Sequence, residues 1–312
     1  MNDICTVTQK FHFTLYADDT SLIEPLCSFT TDLSNIRETS DKINSELKLI
    51  TDWLCLNKLS LNAKKTKMMI FHHRQRSIKN LKLNLRINGT EIEQVHEFNF
   101  LGLLLDECLT WNSHIQKISS KISVVNGTLR RLKKILPEDI LKTIYNALIQ
   151  PHLNYGILLW GKNTKRIFKL QKWALRSITS SKYNAHTDPL FIRLKLLKID
   201  DIYRIAMLKF YFKYNISQLP MYFEGIFDSI YPNHEHDTRQ KELPVVAGYK
   251  SVLSRNFIRH TVPQEIRNAP ALITNKFDTH SLDGFANYVK QFYIGKYNPC
   301  CSIRNCYICN AS

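Results

Sequence analysis

Apolar residues recur along this chain at two different periods. Phe11, Phe13 and Leu15 alternate with His12, Thr14 and Tyr16, the spacing of a strand with one buried face. Thr20 to Ile23 can return beside it, with Ala17, Asp18 and Asp19 between. This predicts a hairpin with two neighbouring carboxylates at its tip. Ser40 is placed to cap a helix whose apolar positions are Ile43, Leu47, Ile50 and Leu54, stepping by three and four. That helix should end near Asn57. The stretch LSLNAKKTKMMIF then reads as a loop with Lys64, Lys65 and Lys67, running into a strand from Met68 to Phe71. Leu81, Leu83, Leu85 and Ile87 alternate with polar residues up to Asn88-Gly89, a type I′ turn signal leading into Thr90 to Val95. A further strand is expected over Phe98 to Leu105, with Gly102 allowing close approach of a backbone or ligand.

Beyond Trp111 the period lengthens. Ile115, Ile118, Ile122, Val125, Leu129 and Leu132 predict one long amphipathic helix despite Gly127. Pro137, Glu138 and Asp139 open the next, with Ile140, Ile144 and Leu148 as its apolar stripe and a stop near Pro151. A third covers about Thr164 to Ser181, and two more lie near Pro189 to Lys198 and Asp200 to Tyr214. Trp173, Tyr203 and Phe210 interleave with charges there and are expected in the core more than as base-stacking groups. The order is that of an α+β protein: a strand-rich first third, a helical middle, and a smaller mixed C-terminal region.

Charge changes this picture in one place. The 312 residues carry a net charge of +16. Residues 114–213 hold 20 Lys and Arg against five acids, so nearly all of the excess sits on the helical middle. Concentrated positive charge points to a polyanion, most simply nucleic acid, with a solvated helical surface as the alternative. On the third helix Lys165, Arg166, Lys169, Lys172 and Arg176 dominate one side. An apolar content of 44% excludes general disorder. No apolar run reaches the ~18–20 residues of a membrane span. MNDICTVTQK has no secretory pattern, and Cys5, Cys27, Cys55 and Cys108 are scattered singly. The expectation is an intracellular protein, nuclear or cytoplasmic.

Two clusters are candidates for metal chemistry. Asp18 and Asp19 repel each other unless a cation compensates, and Mg²⁺ prefers carboxylate oxygens combined with substrate phosphates; the alternative is an ordinary Asp-Asp turn. In the tail, Cys300, Cys301, Cys306 and Cys309 could bind Zn²⁺, but they are crowded and without histidine. A structural or incidental tail is the competing reading. His234, Glu235, His236 and Asp237 fit no common metal spacing and read as a polar loop.

The series of motifs resembles the second half of a reverse transcriptase from a LINE-type (non-LTR) retrotransposon, most closely the jockey-like elements, over about residues 1–295. FTLYADDTSL resembles the metal-binding turn of the palm, and WLCLNKLSLNAKKTKMMIF the following lysine motif. FNFLGLLLDECLTWNSHI is similar to the primer grip and its exit into the thumb. LNYGILLW, LQKWALR and VPQEIRNAP fit the same group. The resemblance implies a partial palm over 1–112, a basic helical thumb over 113–215 and a C-terminal region over 216–312. It implies RNA-directed DNA polymerase chemistry. Asp18 would bind the catalytic Mg²⁺, Asp19 would support it, and Lys65 would neutralise or protonate the pyrophosphate. Tyr16 and Ala17 would lie near the primer terminus, and Phe100, Leu101 and Gly102 would hold the primer. The basic helices would grip an RNA template paired with its DNA primer by the phosphates. It also implies an earlier catalytic aspartate and nucleotide-holding fingers. Only 15 residues precede Tyr16, and Asp3, their one acid, does not match that aspartate; Met1 resembles an internal position. The expectation is weak Mg²⁺ binding and no polymerisation by this chain alone. The competing classes are a non-catalytic nucleic-acid-binding remnant and a structural protein with a reverse-transcriptase-like fold.

Overall fold

The computed structural model describes residues 3–26, 33–73, 81–227, 257–277 and 281–298. The chain divides into two units, Met1–Thr110 and Trp111–Ser312.

In the first unit, strands β1 (His12–Tyr16) and β2 (Asp19–Ile23) form the expected antiparallel hairpin, with Tyr16 opposite Asp19. Helix α1 (Leu33–Leu56) follows. Ile43, Leu47, Ile50 and Leu54 are buried as the period requires, but the helix starts seven residues before Ser40. Ser40 is therefore no cap. It is buried mid-helix, its hydroxyl donating to the Ile36 carbonyl at 2.8 Å. Strand β3 (Lys67–Met68) is shorter than predicted and pairs in parallel with β6 (Glu93–Gln94).

Leu81, Leu83, Leu85 and Ile87 are all buried, while Lys82, Asn84 and Arg86 between them are exposed. Only Arg86–Ile87 (β4) pairs as a strand, with Thr90–Glu91 (β5) across Asn88-Gly89. Both turn residues have positive φ, 49° and 76°, as a type I′ turn demands. Upstream, the Leu85 carbonyl accepts from the Ile92 amide at 2.9 Å and the Leu81 carbonyl from the Gln94 side chain at 2.9 Å, and α1 supplies further hydrogen bonds. Asn44 donates to the Asn84 carbonyl at 2.9 Å and accepts from the Arg86 amide at 2.9 Å, and Ser40 accepts from the Asn84 amide at 3.3 Å. Two helix side chains thus bond backbone groups along the outer side of this segment.

Phe98 to Leu105 is a hairpin rather than one strand: β7 (Glu97–Phe100) turns at Leu101-Gly102 into β8 (Leu103–Asp106). Both turn residues have positive φ, 45° and 82°, so Gly102 serves the turn. The unit's core gathers Ile4, Phe11, the buried face of α1, Leu83, Leu85, Ile87 and Ile92.

The second unit is helical where described. Its elements are α2 (Asn112–Leu132), α3 (Glu138–Leu148), α4 (Gln150–Asn154), α5 (Ile157–Trp160), α6 (Lys165–Ile178), α7 (Asp188–Leu194), α8 (Ile199–Asn215), α9 (Ile258–Asn268), α10 (Ala271–Thr274) and α11 (Leu282–Gly295). None is long and apolar enough to cross a membrane. Helix α3 buries Leu141 and Tyr145, whereas Ile140 and Leu148 of the predicted stripe are exposed. Helices α9, α10 and α11 cover the far side of α8, so Phe212, Phe277 and Phe285 share one aromatic core.

One buried amide joins several segments. Gln171 on α6 has no exposed surface. Its nitrogen donates to the Tyr145 hydroxyl at 2.9 Å and to the Leu197 carbonyl at 2.8 Å, while its oxygen accepts from the Ile199 amide at 3.0 Å. Burial pushes the Tyr145 phenol well above its usual range, so the hydroxyl stays neutral. Across α8, the Tyr297 hydroxyl donates to Asp201 at 2.7 Å and accepts from the Lys198 amide at 3.0 Å. Arg204 completes the set, with Asp201 at 3.0 Å and Glu265 at 3.8 Å.

Three substitutions follow from this packing. Gln171→Leu keeps the volume but orphans three buried groups, and chemical denaturation should show a loss of about 2–4 kcal/mol. Gly127→Ala adds a methyl where nothing lies within 4 Å, so the same measurement should show a gain of about 0.5–1 kcal/mol. Gly161→Ala drives a methyl into the Tyr203 ring and the Ile157 carbonyl, and should cost about 1–3 kcal/mol.

Candidate functional site

The acidic turn is built by its strands. Phe13 and Leu15 turn toward the core and are half-buried, while His12, Thr14 and Tyr16 face solvent. The β1–β2 register leaves Ala17 and Asp18 as a two-residue loop. Ala17 takes a left-handed backbone with φ 51°, a conformation costing an L-residue about 1–2 kcal/mol. The small methyl limits the crowding. Asp18 and Asp19 are both exposed, and Tyr16 is 62% exposed beside them. In the described residues neither carboxylate takes part in an ion pair. As hard oxygen donors they suit Mg²⁺ in kind. They fall short in number, since the described residues contain no group of three or more His, Cys, Asp or Glu side chains that could hold a metal. Water or substrate oxygens would have to complete the shell.

Lys65 lies in a separate loop shaped by Asn62. The Asn62 carbonyl accepts from the Lys65 amide at 3.0 Å and the Thr66 amide at 3.1 Å, and its side chain accepts from the Lys65 amide at 3.2 Å. The Lys65 ammonium is exposed. Asn62 had no assigned role in the sequence reading. Its signal is the ability of an Asn side chain to bond backbone a few residues ahead.

Phe100, Leu101 and Gly102 form the tip of the β7–β8 hairpin, with Phe100 and Leu101 half-buried and Gly102 exposed. The hairpin's base is tied down by residues that the sequence did not single out. Asp106 accepts from the amides of Cys108 at 3.2 Å and Thr110 at 2.9 Å, and from the Thr110 hydroxyl at 3.2 Å. Glu107 reaches His96 at 2.6 Å and His72 at 3.6 Å.

The five cations of α6 divide into two groups. Lys165, Arg166 and Lys169 are exposed. Arg176 is tied into the fold, its guanidinium donating twice to the Ala185 carbonyl, at 3.0 and 2.9 Å. Lys172 lies 4.2 Å above the Phe168 ring. Its ammonium is held below the usual lysine range, first by burial and then by Arg176. Tyr203 is partly buried and Phe210 is core, as expected, but Trp173 is 61% exposed. Its position on the helix continues the outward row of Arg166 and Lys169, one turn further along.

Within the W-x-x-H segment, His114 is 3% exposed. It makes edge contacts with Trp111 at 6.1 Å and Trp160 at 5.9 Å. Burial first, then Lys117 and Lys121, lower its pKa from the usual histidine value. Cys300, Cys301, Cys306 and Cys309, and the His234 to Asp237 cluster, lie outside the described residues.

Comparison with known proteins agrees in kind with the motifs. No protein-family model and no solved structure matches the chain. It is 27% identical over 204 residues to the RNA-directed DNA polymerase from mobile element jockey of Drosophila funebris, covering 63% of this chain and 21% of that protein. It is 24% identical over 172 residues to the probable RNA-directed DNA polymerase from transposon X-element of Drosophila melanogaster, covering 53% and 18%. A third relative, the probable RNA-directed DNA polymerase from transposon BS of the same fly, is 24% identical over 193 residues, covering 60% and 20%. By distant homology, the chain is related to the jockey-type reverse transcriptases of non-LTR retrotransposons, and it spans about one-fifth of the length of these relatives.

Proposed function

We propose that this chain is part of an RNA-directed DNA polymerase of a non-LTR retrotransposon, in which residues 1–112 belong to the palm and 113–215 to the thumb. The observation that carries the reading is the exposed Tyr16-Ala17-Asp18-Asp19 turn in a chain related to such polymerases. Asp18 and Asp19 hold Mg²⁺ in the complete polymerase. Lys65 neutralises the departing pyrophosphate, and Tyr16, Ala17, Phe100, Leu101 and Gly102 position the primer end. The exposed Lys165, Arg166 and Lys169 grip the RNA–DNA hybrid by its phosphates.

Alone, the 312-residue chain does not polymerise. Two carboxylates on an open turn, with no group of three or more metal-ligating side chains among the described residues, bind metal weakly. Purified chain on primed poly(rA) should give no incorporation of labelled nucleotide. Incorporation that Asp18→Ala abolishes would overturn this.

Hybrid binding should nonetheless be measurable and steeply salt-dependent. Lys165→Ala/Arg166→Ala/Lys169→Ala should lower the log–log salt slope by about two to three. Asp18→Ala should leave binding unchanged. If the triple variant binds hybrid as the wild type does, the basic bundle serves another partner and the thumb assignment fails.

A further inference from the structure

A second basic feature of the helical unit lies outside α6. A groove of about 740 Å³ runs along α8, closed by α4, α5 and α11. Its floor is aliphatic, with Ile157, Leu158, Ile205 and Leu219 among the lining residues. Lys195, Lys209, Lys213 and Lys290 also line it, and among the described residues no acid does. In the described residues these four lysines take part in no ion pair. Lys209, Lys213 and Lys290 are half-buried, so part of each stem is already withdrawn from water while no described carboxylate pairs with the ammonium. Asn146, Gln150 and Asn154 add carboxamides along one side.

We infer that this groove is a docking site for an acidic amphipathic peptide segment of a partner protein. Apolar side chains at i, i+3, i+4 and i+7 would fill the aliphatic floor, and carboxylates on the flanks would meet the lysines. Its volume lies within the ~300–1,000 Å³ usual for binding clefts. Nucleic acid fits the lining less well. A sugar-phosphate strand has no aliphatic surface to bury in such a floor. The described lining holds no arginine to fork onto phosphate. The one aromatic residue of the described lining, Phe210, is 8% exposed and is taken up by ring contact with Phe223 at 5.2 Å, so that ring offers no free face to a base. Four lysines around an aliphatic trough match carboxylates on an amphipathic helix instead. The inference does not depend on polymerase chemistry or on the α6 face.

The test uses the full chain. Random peptides of roughly 16 residues, about four helical turns, are displayed on phage, selected on the wild-type chain and counter-selected on Lys209→Glu/Lys213→Glu. Enriched peptides should combine Glu or Asp with Leu, Ile or Phe at helical spacing. By fluorescence anisotropy, they should bind the charge-reversed variant about tenfold or more weakly. Lys195→Glu/Lys290→Glu places its changes on different segments and should produce the same loss. It decides the matter if the first variant fails to fold, as judged by circular dichroism. Absence of such peptides, or equal binding to wild type and a folded variant, overturns the inference. So does a single-stranded RNA probe whose affinity falls with the groove variants while the selected peptides are unaffected. Hybrid binding that depends on Lys165, Arg166 and Lys169 leaves the groove result untouched, so the two readings can fail separately.

Discussion

The Gln171 amide is fully buried and must satisfy itself on protein. Two of its hydrogen atoms and one lone pair are committed to α3, to Leu197 just before α8 and to Ile199 at its start. Because an unpaired buried amide is so costly, α6 can sit against α3 in only a narrow range of positions. That constraint fixes where α8 begins, and α8 is the wall against which α9, α10 and α11 pack. The exposed row of α6 and the lysine groove beside α8 are therefore held in register by one polar side chain. Asn126 adds a second restraint from α2, donating to the Leu170 carbonyl at 2.9 Å.

Local patterns were most legible where the physics is local. The Asn88-Gly89 turn, the alternation from Leu81 to Ile87 and the spacing of Ile43, Leu47, Ile50 and Leu54 needed only dihedral preference and periodicity. Readings went astray where a tertiary partner decided the outcome. Ser40 has the chemistry of a cap, but it lies in mid-helix and serves a neighbouring segment. Helix α3 offers two apolar stripes, and the packing around Gln171 selects the one containing Tyr145. The strand expected through Gly102 folds back on itself, because Leu101 accepts a positive φ next to the glycine.

The candidate site shows the same division. A two-residue turn brings Tyr16, Ala17, Asp18 and Asp19 together, so their grouping was readable from adjacency alone. The split among the α6 cations was not. Helical spacing places Arg176 near the basic side, but the Ala185 carbonyl claims its guanidinium. Trp173 has the bulk of a core residue and yet faces outward, because Ala174 and Leu175 next to it already fill the inward positions. Asn62 and Asp106 act on backbone amides a few residues ahead, and Glu107 acts on the rings of His96 and His72, much further back in the chain. One sequence read without its fold assigns them no more than ordinary polarity.

The contact between Asn44 and the extended segment from Asn84 to Arg86 has a consequence for the behaviour of the free protein. A carboxamide carries one donor and one acceptor side by side, the same pair a neighbouring strand would present. Asn44 therefore stands in for a strand and closes an edge that would otherwise be open to pairing with another chain. Exposed edges of apolar, alternating segments are where separate molecules join into sheets. The segment with Leu81, Leu83, Leu85 and Ile87 is of that kind. The helix α1 that buries its apolar face also stoppers its backbone, so a single element guards this stretch against both exposure to water and self-association.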